Sequence, residues 1–280
     1  MTPPRALRLF QPLAFAGLLL CCAAFAQAQD APPSNVSAPD KMLLDVQNVS
    51  PPPPAEIPDV DPIALYGGDI VFDIYRKNSK VGEHRTSFTR TGDDLTVVSK
   101  MTIAVDVLFF NAYSFEYNST DVWRKGQLQA LAVNVDDNGK VSKVTARLED
   151  DLFKVDGPKG SFIASSWVFP TNHWHRGQVN SKTILNTLTG KLDQVVIVNR
   201  GIERVETAQG SVDADHFEYT GQLRDTEVWY DANNRWVKMR FKARDGTPIE
   251  YRCRECGLAA GPANAVAGDE PATQPLKGPS

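Results

Sequence analysis

Four side chains beyond the N-terminal segment have the types and spacing for metal or redox chemistry: His173, His175, Cys253 and Cys256. Two imidazoles one residue apart in an extended loop point the same way. With two thiolates they would complete a tetrahedral N2S2 zinc site. Nothing in the sequence brings the two segments together. The expectation is therefore a pair of loop histidines flanking an anchoring Trp174, with no metal and no cofactor. The cysteines are three residues apart, so on a strand they face opposite sides, and the strand must end or turn at Cys253 if the sulfurs are to meet. Two lone cysteines in an oxidising compartment are expected to pair as a disulfide. So small a loop adds little by chain entropy, and the bond would act as a staple on the chain end. A redox-active pair opens a helix after a strand, where the dipole lowers a thiol pKa. Here a Gly-, Ala- and Pro-rich tail follows. Gly257, not His, comes after Cys256, which excludes the usual c-type haem attachment.

Other catalytic readings find less support. Ser87, Ser165 and Ser166 lack a nucleophile elbow. Glu116, Asp121, Glu149, Glu203 and Glu218 sit where a polar strand face would put them. Glycine clusters do not precede helices, so a phosphate loop is not indicated. His84 and His216 fall in alternating strand segments and are expected on the surface. The expectation is a protein that is not an enzyme. The remaining handle is aromatic: Trp123, Trp167, Trp174, Trp229 and Trp236, with Phe109, Phe110, Tyr113 and Phe115, either line an apolar ligand cavity or fill a core.

The elements that must position these residues are strands. From Glu227 to Cys253, apolar side chains alternate with charged or indole ones at period two. A two-residue turn at Asn233 and Asn234 would set Val228 against Met239 and Tyr230 against Val237. It would also set Asp225 against Lys242, Glu227 against Arg240 and Trp229 against Lys238. One register thus groups apolar pairs on one face and opposite charges on the other, with Trp229 and Trp236 both on the charged face. At Asp245 and Gly246 a two-residue turn would scramble the faces. An odd loop of three or five residues keeps Phe241 against Tyr251 and Lys242 against Glu250. Turn signals recur along the rest of the chain, among them Lys77-Asn78, Gly92-Asp93, Asn138-Gly139 and Gln209-Gly210. About a dozen strands follow, and a sheet of that length must curl, close or split. The fold expected is all-β: a strongly curved antiparallel meander sheet, a half- or fully closed barrel, with at most one or two short helices. Phe169 to Gly177 breaks the alternation and is expected to form a long loop or helical turn over the sheet. Ser181 to Thr187 reads as a short helix or a strand.

The ends read differently. Arg5 and Arg8, an apolar run from Leu13 to Phe25, and small residues at Ala24, Ala26 and Ala28 make residues 1–28 a secretory signal peptide. Its apolar run is short for a bilayer span. Leu20 before Cys21 fits a lipid-modified cysteine poorly. Residues 29–65, with four consecutive prolines at 51–54, read as a disordered linker, and 257–280 as a disordered tail. A single antiparallel β domain is expected over 66–256. Loss of Arg5 and Arg8 takes the formal charge from -4 to -6, which argues against nucleic acid as a partner. No second long apolar stretch exists, so the mature form is not expected to be transmembrane.

A family resemblance rests on the order of several features. These are Tyr75 with Lys80-Val81-Gly82, Asp121 with Trp123, Gly126 with Leu128, and Asp136 to Gly139. Then come Trp174, Leu188 with Gly190, Val228 to Asp231, Trp236 to Met239, Asp245-Gly246-Thr247 and Ile249 with Tyr251. Over roughly residues 68–252 this resembles bacterial exported proteins of domain of unknown function 6134, and is similar to domain of unknown function 3108. The latter looks like the LolA/LolB lipoprotein-carrier fold. The resemblance implies a curved antiparallel sheet around an apolar hollow, and it implies no catalytic residues. Cys253 and Cys256 are not part of its pattern. The function expected is a periplasmic, non-catalytic protein that binds or carries a lipid, acyl chain or other apolar ligand in that hollow. The alternative is a scaffold that binds an envelope protein through a sheet edge or the Trp229/Trp236 face.

Overall fold

The structure, a computed structural model, describes residues 59–107 and 110–257. The signal segment, most of the Pro-rich stretch and nearly all of the tail lie outside the described residues. The Pro-rich stretch, expected to run to 65, gives way sooner. Asp61 caps a helix, α1 (Pro62–Tyr66), by accepting from the Ile63 N–H, with Pro62 in the first turn, where its missing donor costs nothing.

Fifteen strands follow. The first arm holds β1 (Ile70–Arg76), β2 (Ser79–Thr91), β3 (Asp94–Val107), β4 (Phe110–Arg124), β5 (Gln127–Asp137), β6 (Lys140–Glu149), β7 (Leu152–Gly157) and β8 (Gly160–Ser165). The second holds β9 (Phe169–Pro170), β10 (Thr183–Asn186), β11 (Lys191–Thr207), β12 (Gly210–Gly221), β13 (Thr226–Asp231), β14 (Trp236–Lys242) and β15 (Pro248–Glu255). All belong to one sheet, ordered β8 through β1, then β15 back to β9. Each arm is a run of hairpins, and β1–β15 pairing joins the arms. Every pairing is antiparallel except the two-residue contact of β9 with β10. Strand β1 sits at the centre and reads as a nearly unbroken apolar run, as a strand covered on both faces must.

The sheet curls but does not close, so of the half- and fully closed barrels expected it is the partly closed one. Its edge strands β8 and β9 are consecutive in the chain yet are not paired with each other. Pro170 supplies no donor at β9, which suits an edge. The seam is packed instead by glycines: a Cβ on Gly157, at the end of β7, would lie 2.9 Å from the Cα of Gly190 in the β10–β11 turn. Gly157→Val is therefore expected to lower stability by about 1–3 kcal/mol by overpacking the seam, read as a drop in thermal midpoint. An unchanged midpoint would show that the two arms do not meet there.

The segment after β9 lies over the inner face of the sheet, as a loop with one helical turn. It enters the concave side, where Val168, Phe169, Asn172, Trp174 and Gln178 are buried. Asn172 N–H bonds Pro170 O at 2.8 Å and Trp174 N–H bonds Asn172 O at 2.7 Å, with His173 between them at φ 57°. A 3-10 turn, Arg176–Asn180, leads to β10. Inward-facing phenols hold the segment: Tyr230 donates to His173 O (2.9 Å) and Tyr66 donates to Trp174 O (2.9 Å).

The β13–β14 hairpin departs from its expected register at one point. Val228 faces Met239, Glu227 faces Arg240 and Trp229 faces Lys238, and Lys242 bonds Asp225 at 2.6 Å. Asp231 then accepts from the N–H groups of Asn233 and Arg235, widening the turn. A bulge follows, and Tyr230 pairs with Trp236 rather than Val237. That one extra residue moves Trp236 from the charged face to the interior. At the next turn the odd loop has five residues, between Lys242 and Pro248. The face parity is as expected, but the register is two residues away, with Phe241 against Ile249 and Arg240 against Glu250.

Candidate functional site

The inward faces of β1 to β4 form a cross-strand row, Phe72–His84–Met101–Tyr117. From the other arm, Met239, Tyr251 and Phe241 face inward, and Trp236 joins them through the bulge. The entering segment contributes Asn172 and His173. These groups do not fill the space between them: a cavity of about 180 Å³ remains, with Leu188 the exposed member of its lining.

Its lining is mixed. Met101, Leu223, Trp236, Met239, Phe241 and Tyr251 supply apolar surface. Tyr117, Thr171, Asn172, Asn186 and Thr187 supply polar groups. The polar groups are largely committed to each other. Tyr117 donates to Thr187 Oγ1 (3.1 Å), Thr171 and Thr187 share a hydrogen bond (2.8 Å), and Thr86 and Ser99 share one at 3.0 Å. His84 and His173 both line the cavity and both flank Trp236, with ring centroids at 5.6 Å in each case. Burial lowers the His84 pKa to about 4. Burial, assisted by His84, lowers that of His173 to about 3. Both rings are uncharged at neutral pH. Behind Asn172, Asp121 on β4 is fully buried and accepts from the Asn172 side-chain amide. Burial raises its pKa to about 7, against the lowering effect of hydrogen bonds from Asn172, Trp123 and Ser119.

The structure separates the five tryptophans. Trp236 lines the cavity. Trp123 and Trp174 are core residues packed edge to face at 5.4 Å beside Phe169 and His175. Trp167 is half-buried on the link from β8 to β9. Trp229 does stay on the charged face, but it is only 1% exposed. His216 stacks on it at 4.3 Å, Lys238 lies 4.6 Å from its ring centre, and its N–H donates to Glu203 at 3.0 Å. The exposed Trp229/Trp236 contact face is thus corrected: one indole is covered by its strand neighbours and the other is inside. The side chain of Phe110 and the whole of Phe109 lie outside the described residues.

His173 and His175 do not act as a pair. The left-handed backbone at His173 turns it to the cavity, while His175 packs on Trp123 and Phe169 and accepts from the Gly177 N–H. Cys253 and Cys256 are buried with their sulfurs at disulfide distance, and the tip of the β11–β12 hairpin docks there through Ala208 and Gln209. Among the described residues, no three His, Cys, Asp or Glu side chains gather as a metal site needs. His84, His216 and Asp121, expected at the surface, are all buried. Alternation already pointed His84 to the same side as Thr86 and Phe88, and that was the available signal. Asp121 carried none.

Among the described residues, no helix is long and apolar enough to cross a membrane. No curated protein matches the chain. In structure it is similar to a beta-barrel-like protein of domain of unknown function DUF1849 from Brucella abortus, at a TM-score of 0.50 and 12% identity, covering 67% of this chain and 95% of the other. That likeness speaks for the fold. The family profile described as domain of unknown function (DUF6134) matches residues 72–254, which is most of the chain and nearly all of the sheet, and the chain belongs to that family.

Proposed function

We propose that this protein is an exported, non-catalytic binder of an apolar or amphipathic ligand, and that the apolar end of the ligand lodges in the cavity beside Trp236. The observation that carries this is a partly open cavity of about 180 Å³ whose lining includes Met, Leu, Phe, Tyr and Trp side chains. Dry apolar cavities of about 150 Å³ admit benzene. This one takes a ring of that size or the end of an acyl chain, with the remainder leaving past Leu188. Binding rather than chemistry is favoured because Ser99 is bonded to Thr86 and not to a base, and burial lowers the pKa values of the cavity histidines, His84 and His173, to about 4 and about 3, which makes them weak bases. Export is inferred from the basic, apolar and small-residue order of the first 28 residues.

Native mass spectrometry of protein recovered from a bacterial periplasm tests the reading. Wild type is expected to carry an apolar adduct. Met239→Trp, which fills the cavity, is expected to lose it while keeping its thermal midpoint. A wild-type protein that emerges bare and also fails to bind toluene would sink the proposal.

A further inference from the structure

Resting on that reading, the composition of the cavity wall narrows the ligand class. Among the sixteen described residues of the lining, none is Lys, Arg, Asp or Glu. The guanidinium groups of the neighbouring strands are spent on the outer face, where Arg240 bonds Glu227 and Arg252 bonds Glu250. A carboxylate or phosphate inside would have no cation to meet, and an unpaired buried charge is heavily penalised. Two buried carboxyls stand behind the lining, Asp121 holding the Asn172 amide and Asp193 holding the Asn186 amide at 2.7 Å, and a carboxylate there repels an anion. An ammonium fares little better, since Asn172 and Asn186 stand between the cavity and those carboxyls and already occupy them.

The lining nevertheless has polar capacity to offer. A neutral imidazole presents one donor and one acceptor, and two such rings, His84 and His173, stand on either side of Trp236 at the cavity wall. A hydroxyl or carbonyl can exchange a hydrogen bond with either ring without bringing charge. Met101, Met239 and Phe241 in the same lining cover an apolar body, and thioethers adapt to its shape. We propose that the cavity selects an uncharged ligand, a single ring or short alkyl chain bearing one hydroxyl or carbonyl, and rejects carboxylates, phosphates and ammonium groups. Free fatty acids would then be excluded head-first, and an acyl chain would be admitted by its tail or as a neutral alcohol or ester.

The test is a titration of the full chain, followed by Trp fluorescence and by chemical shifts, with four probes of one size: benzyl alcohol, benzoate, benzylamine and toluene. Benzyl alcohol is expected to bind at least 100-fold more tightly than benzoate or benzylamine, and several-fold more tightly than toluene. His84→Phe combined with His173→Phe is expected to bring benzyl alcohol down to the level of toluene and leave toluene unchanged. Binding of benzoate or benzylamine as tight as that of benzyl alcohol overturns the selectivity while leaving the cavity as a binding site. Failure of toluene and benzyl alcohol alike overturns the binding reading itself, and this inference with it.

Discussion

Asp121→Asn is expected to stabilise the protein by about 4 kcal/mol at pH 8 and by less than half of that at pH 5. The carboxyl is fully buried, and burial raises its pKa to about 7, from an ordinary value of 3.8. The fold therefore favours the protonated acid. Relative to the unfolded chain its contribution is complete below pH 3.8 and is lost as pH rises through 7. Asparagine keeps an oxygen for the Asn172 amide and carries no charge to bury. His84 and His173 act with the opposite sign. Their pKa values drop from an ordinary 6.5 to about 4 and about 3, so the unfolded chain takes up protons first as pH falls. Their contribution is complete above 6.5 and is lost below it. Between pH 4 and 6.5 unfolding takes up two protons and releases one, so wild-type stability rises by about 1.4 kcal/mol per pH unit. In Asp121→Asn the release vanishes and the slope doubles. Urea unfolding at several pH values measures both slopes, and equal slopes would show that Asp121 does not titrate in that window.

Much of this architecture is legible in the sequence because period-two alternation and turn residues are local signals. Glu227–Arg240 and Trp229–Lys238 follow from counting across one turn, and the structure pairs them so. The count fails at the next residue, Tyr230. Asp231 turns its carboxylate onto the backbone of Asn233 and Arg235, and the wider turn pushes a bulge into β14. A bulge is one residue of slack, and no local pattern marks it. Yet it decides whether Trp236 faces water or the cavity. The entering segment escapes in a different way. Phe169 to Gly177 shows no alternation because, past the two residues of β9, it is a buried segment and not a strand. Its partners, Tyr66, Tyr117 and Tyr230, come from elements spread over more than a hundred residues. Asp121 is the extreme case. It reads as one acid among many on a polar strand face, and only the arrival of Asn172 makes it a buried group.

Trp236 is where the bulge, the entering segment and the cavity meet, so its removal is the largest single loss expected. It is fully buried and touches Phe72 at 4.3 Å between ring centroids, along with both cavity histidines and Tyr251. Trp236→Ala is expected to cost about 3–5 kcal/mol, because the lost side chain leaves a void that the surrounding hydrogen-bonded strands cannot collapse to fill. The new void opens onto the existing one of about 180 Å³, which turns a stability measurement into a binding measurement. Indole added to Trp236→Ala re-enters the space it left. At a hundred times its dissociation constant it should return about 2.7 kcal/mol. Trp229→Ala is the control. Its indole lies between Lys238 and His216 on the outer face, away from any cavity, and indole should restore nothing there. Urea unfolding of the two variants with and without indole decides the matter. Equal rescue of both, or of neither, would mean that the bulge does not deliver Trp236 to an interior capable of holding a ligand.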